Sequence, residues 1–462
     1  MTLVKFRLLF LIAIKYVSRK WRVILAGSAI IALSIFLFYR FRPFQSATLT
    51  EGIIGTYQEH DLPEPFTRLI SSGLTKTDDK GRVAADLAAG WEVNSDATDF
   101  KFNLKKDLYW VDGSKIKSQD LEFPIPDVEV VYPDENTVEF KLKDSFSPLP
   151  SLLTKPITKK GTLTGVGPYR IEKIEKSRIF ITKITLMPVT PGNYPQLIVR
   201  FYPNEKTAEL AFEIGEVQAL LGLNDASFIS GGKVAALKQF TNFTKIVSLL
   251  YNTKDAAFSN RSLRQALGYS APSIEGEAEA KTPIAPSSWA YFSDVNDYLA
   301  NNTQAKAALD RAKSAASEDI LKKEIVLTTS PQLENVGKQV IVAWKSLGIK
   351  AILRVEGGIP QNFQAALLTQ SIPTDPDQYS LWHSTQTKTN LTKYSSARVD
   401  KDLEDGRKLI KEEDRRSKYS DFQKALLEDS PATFLYFPKY NVIYLKKVEP
   451  MLNKLLPLQL PH

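Results

Sequence analysis

The stretch from Leu69 to Phe123, LISSGLTKTDDKGRVAADLAAGWEVNSDATDFKFNLKKDLYWVDGSKIKSQDLEF, is the most informative part of this 462-residue chain. Within it, Phe100 to Trp110 (FKFNLKKDLYW) alternates apolar and polar side chains. A period of two sends successive side chains to opposite faces, so the segment reads as a half-buried strand. Asp112-Gly113 signals a hairpin turn, because glycine takes positive φ at little cost, and Trp110 before it reads as a core aromatic. Thr137 to Leu142 (TVEFKL) repeats the alternation, and Gly167 to Ile184 (GPYRIEKIEKSRIFITKI) reads as two strands around a polar turn. Gly165, Gly167 and Pro168 punctuate the entry to those strands and are too sparse to cradle a phosphate.

Helical spacing arrives later. Asn204 to Glu216 opens on a residue able to cap and continues with apolar Leu210, Ala211 and Ile214. Further helices are predicted over Ser259 to Ser270, Thr303 to Ala316, Leu333 to Leu347 and Asp400 to Leu427. Strands are expected between them near Ile246, Val326 and Leu353. On the helix from Ser259, the residues Arg261, Arg264 and Gln265 read as a solvated face. This alternation predicts an α/β second lobe over residues 205–431, following a mostly β first lobe over 51–204. The β-rich stretch Ala432 to Leu445 (ATFLYFPKYNVIYL) is expected to return to the first lobe and complete it over about 432–455. With 43% hydrophobic and 24% charged positions, the composition is globular and suits two packed lobes.

The formal net charge of +8 is concentrated at one end. Of the 60 Lys and Arg, eight lie in residues 1–42, which hold no acid, and the remaining 52 balance the 52 Asp and Glu. A neutral body lacks the clustered cationic footprint that phosphate binding needs, so no nucleic-acid partner is expected. The basic end surrounds VILAGSAIIALSIFLFY, Val23 to Tyr39, whose length as a helix is about 25 Å, enough to reach across a bilayer. Six basic residues precede the run and two follow it, which places the amino terminus in the cytoplasm and the body outside the membrane. A cleaved signal peptide is the alternative, but its apolar region is shorter and ends at a small-residue site. Residues 1–22 then form a cytoplasmic and interfacial segment, 23–39 a transmembrane helix, and 40–50 a linker. The absence of cysteine excludes disulfides, thiolate metal sites and a lipid-modified cysteine.

Several segments, in order, resemble the periplasmic oligopeptide- and dipeptide-binding proteins, the family 5 extracellular solute-binding proteins. Leu69 to Phe123 carries the family's Leu-Ala-Trp pattern at Leu87, Ala88 and Trp91 and its Trp-x-Asp-Gly turn at Trp110, Asp112 and Gly113. GVGPYRIEKI from Gly165, LLYNTKDAAFSNRSLRQALGYS from Leu249, PIAPSSWAYF from Pro283, NDYLANNTQAKAALDRA from Asn296 and LWHSTQTKTNLTKYSSARVDKDLED from Leu381 resemble later family segments. The resemblance implies an α/β, two-lobed periplasmic-binding-protein-like fold of type II, cluster C-like, closing on its ligand by hinge motion. The first lobe is expected to be trimmed, because Phe123 passes almost directly into PIPDVEVVYPDENTVEFKL where the family has a further helical segment.

The implied function is capture of peptides or similar oligomeric polar solutes for an ABC transporter permease, with no cofactor. Strand addition, expected along Leu368 to Ile372 (LTQSI), would supply affinity through main-chain hydrogen bonds. Cleft candidates carried over by position are Tyr57, Gln58, Asn252, Trp289, Gln370, Ile372, Trp382 and His383. The family's ammonium-binding carboxylate falls on Ile372, which Pro373 follows, unless Asp375 or Asp377 turns into the cleft instead. Two other readings differ in class. A sensor or surface scaffold would retain the binding fold. A surface hydrolase has little support, since the chain holds only His60, His383 and His462, no cysteine and no metal-ligand spacing or nucleophile elbow.

Overall fold

The computed structural model describes residues 47–461 apart from 79, 230–233, 296–297 and 316–322. The expected membrane helix Val23 to Tyr39 lies outside the described residues, and among those described no helix is long and apolar enough to cross a membrane. The linker reading of residues 40–50 is corrected at its end, because Thr48 already begins the strand Thr48–Ile54.

That strand lies at the centre of a seven-stranded sheet. Its order is Ala235–Thr241, Lys439–Leu445, Ala219–Leu223, Thr48–Ile54, Gln196–Tyr202, Phe180–Pro188, Tyr169–Ser177. One face packs Leu49 and Ile53 against the helix Glu64–Ile70 and the C-terminal helix Glu449–Gln459 through Phe66, Leu69, Leu452 and Leu455. The other face packs Leu220 and Ile443 against the helix Glu205–Glu213. Asn204 caps that helix by accepting the Thr207 N–H at 3.0 Å, as its sequence suggests. Its buried stripe, however, is Ala208, Ala211 and Phe212, and the expected core positions Leu210 and Ile214 are 57% and 70% exposed. The sheet-facing side of the turn is thus displaced by a residue or two from the apolar positions chosen in sequence.

The expected start of the second lobe at residue 205 is also corrected. Ala219–Leu223 pairs in parallel with Thr48–Ile54, and Ala235–Thr241 pairs with Lys439–Leu445, so the chain stays on the first sheet until Thr241. The first lobe also holds the four-stranded sheet Ala88–Val93, Asp99–Leu104, Thr137–Leu142, Val128–Asp134 and the small pair Thr75–Thr77 with Val83–Ala85. The strand expected to run to Trp110 ends at Leu104, shortly before Asp107 takes a φ of +61°. Trp110 is buried with Phe100, Phe102 and Phe140, and Gly113 has φ +85°, as a core aromatic and a turn glycine require. Leu121 to Asp127 carries no helix on its way to Val128–Asp134.

The six-stranded sheet of the second lobe runs Ala278–Glu279, Ala432–Phe437, Lys245–Tyr251, Ala365–Ser371, Ile325–Thr329, Ala351–Val355. Ala432–Phe437 is buried at every position and Lys245–Tyr251 at all but its first, because helices cover both faces. The single helix expected over Asp400 to Leu427 is two, Ala397–Lys408 and Glu412–Asp429. The second folds back on the first where Gly406 leaves room for the Tyr419 ring, and Arg415 Nε donates to Gly406 O. Arg264 corrects the solvated-face reading of the helix Arg261–Ser270. It is 6% exposed, and its guanidinium donates to the carbonyls of Phe258, Ser259, Asp429 and Ser430. Two of those carbonyls close the helix Glu412–Asp429, so the charge caps a neighbouring helix instead of meeting water.

The chain crosses between lobes twice, at Asn242–Thr244 and at Pro438. The crossings are tied by the Asn242 N–H donating to Pro438 O at 2.8 Å and by an edge contact between the Phe243 and Phe437 rings. Ala432 to Leu445 accordingly divides: its first strand belongs to the second lobe and its second to the first.

Candidate ligand-binding cleft

A cavity of about 500 Å³ opens between the lobes beside these crossings. The first lobe contributes Arg68, the segment Ser71–Asp78, Asp86 and, from the C-terminal helix, Pro457 and Leu458. The second contributes Ile284, Ser287, Ser288 and the segment 372–378, while Phe243 and Thr244 form the junction. Gly73 is needed for this wall, because a Cβ there would fall on Leu153 O. Most polar side chains of the lining are those of Ser and Thr, and the volume lies within the range of small-ligand pockets.

The charges of the lining differ in their engagement. Arg68 Nη2 bonds Glu64 Oε1 at 2.6 Å, one helical turn away. Asp78 accepts the N–H groups of Lys80 at 2.8 Å and Arg82 at 2.9 Å, bonds that hold its carboxyl below the usual range. In the second lobe, Ile372 is 8% exposed and its N–H donates to Thr244 O at 2.9 Å. Asp375 and Asp377, the alternatives for an ammonium contact, both point into the lobe. Asp375 Oδ1 meets Arg415 Nη2 at 2.6 Å and Asp377 Oδ2 meets Arg407 Nε at 2.9 Å. Burial pushes the Asp377 carboxyl up, against the pull of Arg407.

Of the eight residues chosen from sequence, Ile372 alone lines this cavity. The Tyr57 hydroxyl donates to Ile54 O at 2.9 Å and its ring packs on Phe201, while Gln58 forms a turn closed by Asp61. Asn252 Nδ2 donates to Phe363 O at 3.1 Å. Trp289 packs edge-on to Tyr419, and the Arg415 guanidinium stands 5.2 Å from its ring centre. Gln370 sits in the strand Ala365–Ser371 opposite Ile246. Trp382 Nε1 donates to Gln378 Oε1 at 2.8 Å. His383 stacks on Tyr379, with Nδ1 2.8 Å from Thr385 Oγ1 and Nε2 3.1 Å from Glu404 Oε1. Sequence reasoning missed Ser71, Ser72, Ser287 and Ser288. Each serine pair stands beside a close backbone approach that a glycine permits, Gly165 and Gly167 against Ile70–Ser71 and Gly81 against Ser287–Ser288.

Two contacts away from the cavity lining also join the lobes. Arg82 bonds Glu412 in a two-pronged fork at 2.8 and 3.0 Å, and the Arg407 guanidinium lies between the rings of Phe146 and Tyr379. Ser147 N–H donates to Arg407 O at 2.7 Å beside it. Arg82→Ala should therefore enlarge the particle measured by small-angle scattering of the full chain without ligand and speed ligand release. An unchanged radius and release rate would show that closure does not depend on the fork.

The sequence pattern of the bacterial extracellular solute-binding proteins, family 5 Middle, matches residues 82–391. The chain belongs to this family. Family 5 proteins bind solutes and are not enzymes. The oligopeptide-binding protein AppA of Bacillus subtilis is 24% identical, with 88% of this chain and 89% of AppA aligned. Among solved structures, the ABC transporter substrate-binding protein CtaP of Listeria monocytogenes superposes with a TM-score of 0.72 at 16% identity, covering 87% of this chain and 94% of CtaP. AppA of B. subtilis in complex with a nonapeptide superposes with a TM-score of 0.64 at 20% identity, covering 87% and 95%. These likenesses give the fold of the family 5 body.

Proposed function

We propose that this chain is a membrane-anchored, extracytoplasmic solute-binding protein that captures peptides or similar oligomeric polar solutes and delivers them to an ABC-type permease. The observation that carries the reading is the cavity of about 500 Å³ between two lobes, beside a strand with an open side. The Ile372 N–H bond to Thr244 O sets the phase of the ladder, so Gln370 turns its backbone groups toward Lys245–Tyr251. Thr369 and Ser371 then turn theirs the other way. There the neighbouring strand has already ended, with Thr329 opposite Leu367. An extended peptide adding along that side would gain main-chain hydrogen bonds without its sequence being read. The LTQSI segment is thus an edge on one side only, its other side being paired. The named ligands of AppA, an oligopeptide and a nonapeptide, support the same class.

The family's ammonium contact is absent from this reading, since Ile372 has no charge and Asp375 and Asp377 are held by arginines. The anchor is the Val23 to Tyr39 helix, supported by the six-to-two basic asymmetry around it. Protease added to intact spheroplasts should remove the body, whereas complete protection would reverse the topology. Thermal unfolding of the full chain with pooled peptides tests the ligand class. A pool at about 100 times its dissociation constant should stabilise the fold by about 2.7 kcal/mol. No shift with any peptide pool, against a shift with another nutrient class, would refute the peptide reading.

A further inference from the structure

The cleft holds two charges that the protein itself leaves unanswered. Asp86 and Lys76 both line the cavity, and among the described residues neither side chain has an ion-pair or hydrogen-bond partner. The other charged residues of the lining are engaged, Arg68 by Glu64 and Asp78 by the N–H groups of its own loop. Asp86 is half-buried, so a cation reaching it would be partly withdrawn from water and its attraction correspondingly strengthened. Both charges ride on one hairpin: Lys76 lies opposite Ala84, and the Asp86 N–H donates to Leu74 O at 2.9 Å as the pairing continues.

We propose that Asp86 receives the amino-terminal ammonium of a short peptide and Lys76 its carboxylate, so that ligand charge is read by the first lobe instead of the second. The assignment rests on the peptide reading above and narrows it. Ile372 removes the carboxylate from the second-lobe wall, and the remaining unanswered acid of the lining stands across the cleft from it. Diagonal neighbours on paired strands lie about 7–8 Å apart, and an extended chain advances about 3.3–3.6 Å per residue. The backbone positions that carry the two charges are therefore spaced like residues two or three apart in an extended peptide. A longer peptide held at one end would carry its other end past the pair. Ser72 and Ser287 line the same cavity, whereas the buried Ser71 hydroxyl is taken by Ile157 O.

The test uses the full-length chain and equimolar libraries of random tripeptides with free ends, with acetylated amino termini, and with amidated carboxyl termini. Affinities are measured by calorimetry. The free library should bind, and each blocking group should weaken binding roughly tenfold. In Asp86→Asn the free and acetylated libraries should bind alike while amidation still weakens binding; in Lys76→Met the pattern should reverse. Both variants alter half-exposed or exposed side chains without partners, and an unchanged ligand-free melting midpoint verifies that they fold. Equal binding of free and acetylated libraries by the wild-type protein, or persistence of the preference in Asp86→Asn, would overturn the assignment. If nonapeptide libraries bind and tripeptide libraries do not, the short-peptide assignment fails and the peptide reading stands. If no peptide library binds, both fail.

Discussion

Arg415→Met is expected to destabilise the second lobe by about 3–5 kcal/mol. Arg415 and Asp375 are 8% and 7% exposed and meet at 2.6 Å. The guanidinium also donates to Gly406 O and to the Tyr419 hydroxyl, both at 3.2 Å, and packs over Trp289. Methionine fills most of the volume but leaves the Asp375 carboxylate buried without its cation, and an unpaired buried charge is the costly state. The double variant Arg415→Met with Asp375→Asn should recover much of the loss, because replacing both partners of a buried pair is often close to neutral. Denaturant unfolding measures both. A single-variant loss below about 1 kcal/mol, the range of a surface pair, would show that the arginine does not hold the segment. The consequence for binding follows from position. Asp375 anchors residues 372–378, whose Ile372, Pro373, Thr374, Pro376 and Gln378 form the second-lobe wall of the cleft, so the single variant should also weaken ligand binding.

The second large effect is expected from Glu51 and is read in the dependence of stability on pH. Glu51 lies at the centre of the seven-stranded sheet, fully buried, and accepts a hydrogen bond from Gln459 Nε2 at 2.7 Å. Among the described residues, Glu51 Oε1 and Gln459 Oε1 have no partner. A proton on Glu51 answers both, since a neutral carboxyl and an amide can exchange two hydrogen bonds. Burial pushes the Glu51 carboxyl up to about 7, against the lowering by Gln459. The titratable groups facing it are the hydroxyls of Tyr169 and Tyr440, whose own values burial raises first and Glu51 second. The folded value lies above the unfolded one of 4.5, so the folded state holds its proton more tightly. The contribution is complete below about pH 4.5 and is lost as pH rises through about 7, a change of about 3 kcal/mol.

Glu51→Gln should remove this component and leave the variant more stable than the wild type at pH 8, with an amide pair in place of the acid–amide pair. Unfolding free energies of both proteins between pH 4.5 and 8 test it, and parallel profiles would refute it. Because Pro457 and Leu458 of the same C-terminal helix line the cleft, ligand affinity of the wild type should also decline over that window.

What the sequence determined by itself was local. The alternation of Thr137–Leu142, the hairpin Tyr169–Ser177 with Phe180–Pro188, the cap at Asn204 and the turn at Gly113 all follow from chain geometry within a few residues. The ordered segments that resemble family 5 were legible for the same reason, whereas the return to the first lobe, expected from Ala432, comes only after Pro438. The tertiary structure decided what depends on residues far apart. Strand Ala219–Leu223 has the same apolar pattern whichever lobe it joins, and only its pairing with Thr48–Ile54 assigns it. Arg264 reads as solvated and Asp375 as a possible cleft acid in sequence because their partners, the Ser430 carbonyl and the Arg415 guanidinium, are 166 and 40 residues away. Seven of the eight cleft candidates carried over by position do not line the cavity, whose polar side chains are mostly the small hydroxyls of Ser and Thr. Side-chain type marks chemistry where a reaction needs it, but a binding cleft that relies on backbone and shape is made when two separately folded walls meet, and no short stretch of sequence carries that information.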